Sequence, residues 1–208
     1  KSPDQQSVLV RHRTRQTLMR QRIQLSNTIR AHMAEFGLAA PAGREGLHRL
    51  IEALPTHDQV PPTARACLTM LASQLRLVNE QILNDDRAIL ASVRANAGAR
   101  RLMTIPGVGP LVASAIVASV PDPKAFRSGR NLAAWIGLVP KQNSSGGKDR
   151  LGSITKAGNR YLRQMLVVGA LAVIRRAQQC GSRRTWLTQL MGRRNTRQAA
   201  VALANKTA

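Results

Sequence analysis

Ser144 and Ser145 stand side by side and are followed by Gly146, Gly147 and Lys148, within "LVPKQNSSGGKDRLGSITKAGNRYLR" at residues 138–163. Two hydroxyls on a glycine-bearing loop, among Lys141, Lys148, Arg150, Lys156, Arg160 and Arg163, suit contact with a phosphate. A hydroxyl that attacks a phosphodiester must be exposed, must face a phosphate whose charge is neutralised, and must lose its proton to a base. The loop supplies the first two requirements and not the third. His12, His32, His48 and His57 all lie in the first half of the chain, and only Asp122 and Asp149 are acidic after residue 100. A two-metal nuclease needs several converging carboxylates, so no metal site is expected from these residues. On residue types alone, Ser144 and Ser145 read at least as well as polar loop residues as they do as nucleophiles.

A second constellation lies upstream, in "LMTIPGVGPLVASAIVASV" at residues 102–120. It has the form of a helix-hairpin-helix. Leu102 and Met103 close one short helix, Pro106 and Gly107 turn the chain, and Val108 packs inward. Gly109 permits a close backbone approach, and Pro110 suits the first turn of the next helix. Backbone N–H groups at Gly107, Val108 and Gly109 then point outward at a helix N-terminus. They can hold a phosphate without reading a base.

Charge favours such a partner. The chain has 208 residues and a net charge of +22, far beyond what solubility requires. Residues 1–100 carry 14 cations and 8 acids, whereas residues 101–208 carry 18 and 2. The second half is therefore the expected nucleic-acid surface. Aromatic residues make up 2% of the chain. A stacking platform of several exposed rings is not expected, and phosphate contacts should dominate binding. Cys67 and Cys180 are far apart and form no zinc motif. The longest apolar run, "MLVVGALAVI" at residues 165–174, is too short to span a bilayer. No membrane partner is expected, and with no signal peptide in view the expected location is cytoplasmic. The chain begins at Lys1 without an initiator Met, as a fragment or a processed product would.

The elements that must position these residues read as helices throughout. Residues 5–36 have few breakers and form one long helix, with a partial heptad through Leu18, Leu25 and His32 and through Arg22, Ile29 and Phe36. A short helix is expected near residues 44–54. A second long helix over residues 61–93 carries a seam of Leu68, Leu71, Leu75, Val78, Ile82 and Ile89. The two long helices predict an antiparallel coiled coil, closed either on itself or against a second chain. "ANAGAR" at residues 95–100 reads as a boundary. Beyond it, Ser128 is placed to cap a helix over residues 129–136 that turns Leu132, Trp135 and Ile136 inward. Thr155 is placed to cap the next helix, whose face would carry Lys156, Arg160 and Arg163 at i, i+4 and i+7. The tail from Gly192 is expected to end in a fraying helix. The fold class is all-α: a long-helix coiled-coil or oligomerisation segment over residues 1–98, then a compact helical domain with a helix-hairpin-helix over residues 99–208.

"IPGVGPLVASAIVA" followed by "FRSGRNLAAWIGLVPKQNSSGGKDRLGSITKAGNRYLR" resembles the C-terminal domain of insertion-sequence transposases of the IS-one-ten type, and within them the eleven-eleven subgroup; Piv-type DNA invertases are relatives. The likeness covers about residues 100–175, and the long helices before it resemble the coiled coil that precedes this domain. The resemblance implies an N-terminal RuvC-like domain, absent from this chain, whose acidic residues bind Mg²⁺. No cofactor is then expected on the present residues. It also implies a serine that attacks DNA to form a covalent intermediate, Ser144 by the subgroup's motif of Ser, Ser or Thr, then Gly-Gly-Lys, or Ser145 by the Ser-Gly pattern of other members, with Ser144 favoured, and a bridge RNA that pairs with donor and target DNA. The alternative is a non-catalytic helix-hairpin-helix module that binds nucleic acid through its backbone. Such a module has no need of "NSSGGK".

Overall fold

The computed structural model describes residues 1–148, 150–180 and 185–208. The fold is all-α with one small two-stranded sheet. Its contacts divide the chain into two compact units, Val10–Ala88 and a second made of Lys1–Leu9 with Ile89–Ala208.

The long-helix unit, Val10–Ala88, is built on α1 (Pro3–Glu35), α2 (Arg44–Ala53) and α3 (Pro62–Ala95), with a single 3-10 turn at Leu54–Thr56. Within this unit the two long helices run antiparallel. Ile29 and Met33 near the end of α1 pack in one core with Leu68 and Leu75 near the start of α3. At the other end, Arg15 Nε meets Asp86 Oδ1 at 2.6 Å. The leucine seam of α3 is therefore filled from within the same chain. Leu68, Leu75, Val78 and Ile82 are buried as expected, and Leu71 is half-buried. On α1 the seam differs from its sequence reading. His32 is exposed, and the buried histidine is His12. Burial lowers the His12 pKa to about 4, assisted by the adjacent positive charges of Arg15 and Arg11.

The second unit, here the hairpin unit, contains α4 (Ala97–Leu102), α5 (Pro110–Ser119), α6 (Gly129–Ile136), β1 (Pro140–Gln142), β2 (Leu151–Ile154), α7 (Arg160–Cys180), α8 (Thr185–Arg193) and α9 (Thr196–Thr207). Its centre is α7, which buries Leu162, Leu166, Ala170 and Ile174 at steps of four. Each of the three large side chains contributes about 1.5–3 kcal/mol by leaving water. Ala113 and Ala115 of α5 and Ala199, Ala200 and Ala204 of α9 join this core, small enough to bring helices close. Gly169 of α7 has the same role against the turn after α4. A Cβ there would lie 2.0 Å from the Gly107 carbonyl oxygen. The tail ends in a helix, as expected, and that helix is packed. Asn195 accepts from the Gln198 N–H as the N-cap of α9, and Leu203 is buried with the alanines. The apolar run at residues 165–174 lies in α7, and no helix among the described residues is long and apolar enough to cross a membrane.

The strands were not expected from the sequence. β1 and β2 pair antiparallel, with Pro140 opposite Ile154 and Gln142 opposite Leu151. Three and four residues give too short an alternation to register as strands, and the pairing is fixed by the turn between them.

Candidate nucleic-acid interface

The serine loop is the tip of this hairpin. Ser145 and Lys148 bridge across a two-residue turn, with the Lys148 N–H donating to the Ser145 carbonyl at 3.1 Å. Gly146 and Gly147 occupy it at φ 55° and 76°. A type I′ turn needs positive φ at both central positions, which explains the glycine pair without any ligand. The same turn leaves the Ser145 side chain exposed, and no partner for it occurs among the described residues. Ser144 is half-buried, and its Oγ accepts from the Arg150 N–H at 3.1 Å. The two hydroxyls are thus held differently, and the more exposed one is Ser145 rather than the Ser144 that the motif favours. Asp149 lies outside the described residues.

The hairpin's base is locked to the helical core. Gly137 ends α6 in the left-handed conformation, φ 81°, and a Cβ there would lie 2.1 Å from the Ala157 carbonyl oxygen. Gly158, φ 69°, is its counterpart: a Cβ would lie 1.8 Å from the Trp135 carbonyl oxygen. Arg163 Nη1 donates to the Ile136 carbonyl at 2.7 Å and to the Ala157 carbonyl at 2.8 Å, which ties both sides of this crossing to α7. Asn205 Nδ2 of α9 donates to the Leu138 carbonyl at 2.9 Å. Lys156, at φ 57°, is the only described residue other than glycine with positive φ. This conformation costs about 1 kcal/mol and turns the chain from β2 toward α7.

Several sequence expectations change here. Lys156, Arg160 and Arg163 do not share a helix face, because α7 begins only at Arg160. Thr155 does not cap it. Asn159 does, accepting from the N–H groups of Tyr161 and Leu162, while Thr155 Oγ1 is buried without a hydrogen-bond partner. Ser128 sits at the N-cap of α6 but its hydroxyl makes no capping bond. Trp135 is exposed rather than inward, and Ile136 is buried. The guanidinium of Arg163 is committed to carbonyl oxygens. Lys141, Lys148, Arg150, Lys156 and Arg160 remain exposed, and none has an ion-pair partner among the described residues. The clamps from Gly169, Arg163 and Asn205 had no local signal, since Ile136, one of the two partners of Arg163, and Leu138, the partner of Asn205, lie 27 and 67 residues away in sequence.

At the upstream turn, Val108 is buried and its N–H donates to the Ile105 carbonyl at 2.9 Å. That amide is not available to a ligand in this arrangement. Gly107, φ 91°, packs against Gly169. Gly109 precedes α5, with open space where a Cβ would project. Among the described residues no three His, Cys, Asp or Glu side chains converge to hold a metal ion.

The segment that carries this hairpin also falls within a match to a known family. Residues 99–185 match the Transposase IS116/IS110/IS902 family. Over its whole length the chain is similar to a probable family 20 transposase of Pseudomonas aeruginosa, with 43% identity, covering 63% of that protein. It is likewise similar over its whole length to the transposase of insertion sequence element IS1328 from Yersinia enterocolitica, at 35% identity and 62% coverage. The transposase of IS1111A from Coxiella burnetii is 36% identical and covered over 58% of its length. The chain therefore spans about three fifths of these relatives. The chain is thus similar, over its whole length, to proteins named as transposases.

Proposed function

We propose that this chain is the assembly and DNA-engaging part of an IS110-type transposase, of the IS1111 subgroup, and that its hairpin carries the serine nucleophile. The observation that carries the reading is the hairpin itself: an exposed serine hydroxyl at the tip of a turn whose base is fixed at four points to the core. A nucleophile has to be held in register with its phosphate, and a clamped hairpin does this where a free loop would not. Ser145 is the better-presented hydroxyl, and Ser144 braces the turn through Arg150. In the proposed step the Ser145 oxygen bonds to phosphorus as one ester P–O bond breaks. The hydroxyl proton passes to a base, and the departing DNA oxygen takes up a proton. Lys148, Arg150, Lys156 and Arg160, with Lys141, neutralise the phosphates.

The described residues do not fit a Mg²⁺ site, since no carboxylates converge. In this reading the base and any Mg²⁺ belong to a RuvC-like domain outside residues 1–208. The helix-hairpin-helix, α4–turn–α5, adds phosphate contact through the open N-terminus of α5 at Gly109. A bridge RNA as second nucleic-acid partner rests on the resemblance alone. Residues 1–98 would join copies of the chain. Val10, Ile23, Met70, Leu77 and Leu83 on the long helices, each more than half exposed, support this.

The test is to trap protein joined to nicked DNA in the whole transposase and map the linked residue by mass spectrometry. Attachment at Ser145 is expected. Recombination by a Ser144→Ala/Ser145→Ala double variant would reduce the chain to a helix-hairpin-helix binding module.

A further inference from the structure

Trp135 stands out among the side chains that the proposed chemistry leaves unused. Its indole, on the last turn of α6, is 40% exposed. An indole is normally among the more buried side chains. Its ring is set by Phe126, with centroids 5.6 Å apart and planes at 63°. That edge contact orients the indole without burying it. Trp186, the other tryptophan, is different: it is half-buried, and Lys206 Nζ lies 4.4 Å from its ring centroid. One ring is already occupied by a cation of the chain, and the other is held out to solvent.

Cations lie on the segments that adjoin this turn of α6. The packing of Gly158 on the Trp135 carbonyl places residues 156–160 against the turn of α6 that bears the indole. Lys156 and Arg160 lie two residues to either side of Gly158. Arg127 follows Phe126 directly. All three are exposed and have no ion-pair partner among the described residues. A flat apolar ring beside uncompensated positive charge matches a nucleobase with its flanking phosphates better than it matches an apolar protein surface.

We propose that Trp135 is a stacking platform for one unpaired nucleobase, with the neighbouring phosphates on Lys156 and Arg160. The proposal deepens the nucleic-acid reading given above and rests on it. In an intact duplex both faces of each internal base are covered by neighbours, so Trp135 gains a partner only where a strand is opened or unpaired. Stacking is indifferent to sequence because every base has a π-face. The single ring fits a chain too poor in aromatics to build a multi-base platform.

The experiment uses the 208-residue chain with Trp186→Phe, so that Trp135 alone reports by fluorescence. Oligothymidylate, oligouridylate and a blunt DNA duplex are titrated in parallel. Strong quenching by one or both single strands is expected, with little by the duplex; the stronger of the two identifies the strand as DNA or RNA. Trp135→Ala should lower single-strand affinity about ten-fold and duplex affinity less than two-fold. Trp135→Phe, which keeps a ring, should retain most of it. Single-strand binding that leaves Trp135 unquenched and ignores Trp135→Ala would overturn the stacking site and leave the proposed function standing. Failure of the chain to bind any of the three would overturn both. Concentration-dependent quenching without nucleic acid would assign the indole to a protein contact and overturn the proposal.

Discussion

The long-helix unit and the hairpin unit use positive charge in opposite ways. Val10–Ala88 carries 11 cations and 7 acids, and the remainder of the chain carries 21 and 3. Within the long-helix unit much of this charge is internally committed. Arg30 donates to the carbonyls of Ala40, Pro41 and Gly43, and Arg65 to those of Pro55, His57 and Val60. Arg15 is held by Asp86, and Arg49 reaches Glu45. In the hairpin unit Arg163 has a comparable structural role among the described residues, while the cations around the serine turn face solvent. Net charge counts both kinds alike. Only geometry separates a guanidinium that closes a loop from one that can meet a phosphate.

The largest effect that would test this contrast is chemical. Ser145→Ala in the whole transposase should reduce strand cleavage by at least ~10³-fold, because a nucleophile has no substitute in its place. Filter binding should show nearly unchanged DNA affinity, since the hydroxyl carries no charge. Ser144→Ala should act through the turn and cost far less. Equal losses at both positions would break the distinction drawn between the two hydroxyls.

A matched pair of glycine substitutions comes next. A Cβ at Gly158 would lie 1.8 Å from the Trp135 carbonyl oxygen, and one at Gly46 2.0 Å from that of Pro41. Both collisions are with backbone, so each alanine variant should lose about 3 kcal/mol in denaturant unfolding. Gly158→Ala should also lose DNA affinity and cleavage, because it displaces the hairpin's base. Folded Gly46→Ala protein should bind DNA normally. If both or neither affect binding, the division of labour between the units is wrong.

The long-helix unit should also carry an acid-sensitive term. His12 has a folded pKa of about 4, below the ordinary 6.5. Above pH 6.5 it is neutral in both folded and unfolded chains, and its contribution is constant. Between pH 6.5 and 4 the unfolded chain takes a proton that the folded one refuses, so stability falls as pH falls, by up to about 3 kcal/mol. Urea melts across this range should show the slope, and His12→Gln should remove most of it.

The smallest effects concern single cations. Lys148→Ala and Arg160→Ala should each reduce the slope of log affinity against log salt by about 1. Arg30→Ala and Arg163→Ala should leave that slope unchanged and instead cost about 1–3 kcal/mol of stability, because carbonyls lose their donor. A salt slope that responds to Arg163 would return it to the binding surface.

Much of the fold was legible because its signals are local. The length of α1 and α3, the seam from Leu68 to Ile89, and the turn from Pro106 to Pro110 follow from periodicity and from the backbone limits of Gly and Pro. The serine stretch was legible as a site by its residue types. What it could not reveal was that its glycines make a hairpin turn, since two strands this short have no pattern of their own. The tail was legible as a helix but not as core: "QAAVALA" looks weakly apolar, yet its small residues are what allow α9 to lie close to α7.

Sequence by itself determined the helical class, the basic excess, and the presence of paired serines among glycines and cations, because composition and short-range spacing are properties of the chain alone. Tertiary structure decided which of those groups are free. Arg163 became a clamp because the carbonyls of Ile136 and Ala157 converge on it. Ser144 became a brace because the hairpin returns the Arg150 N–H to its oxygen, while Ser145, one residue on, was left at the tip. A hydrogen bond between distant residues depends on where the fold brings them, and no local pattern encodes that distance.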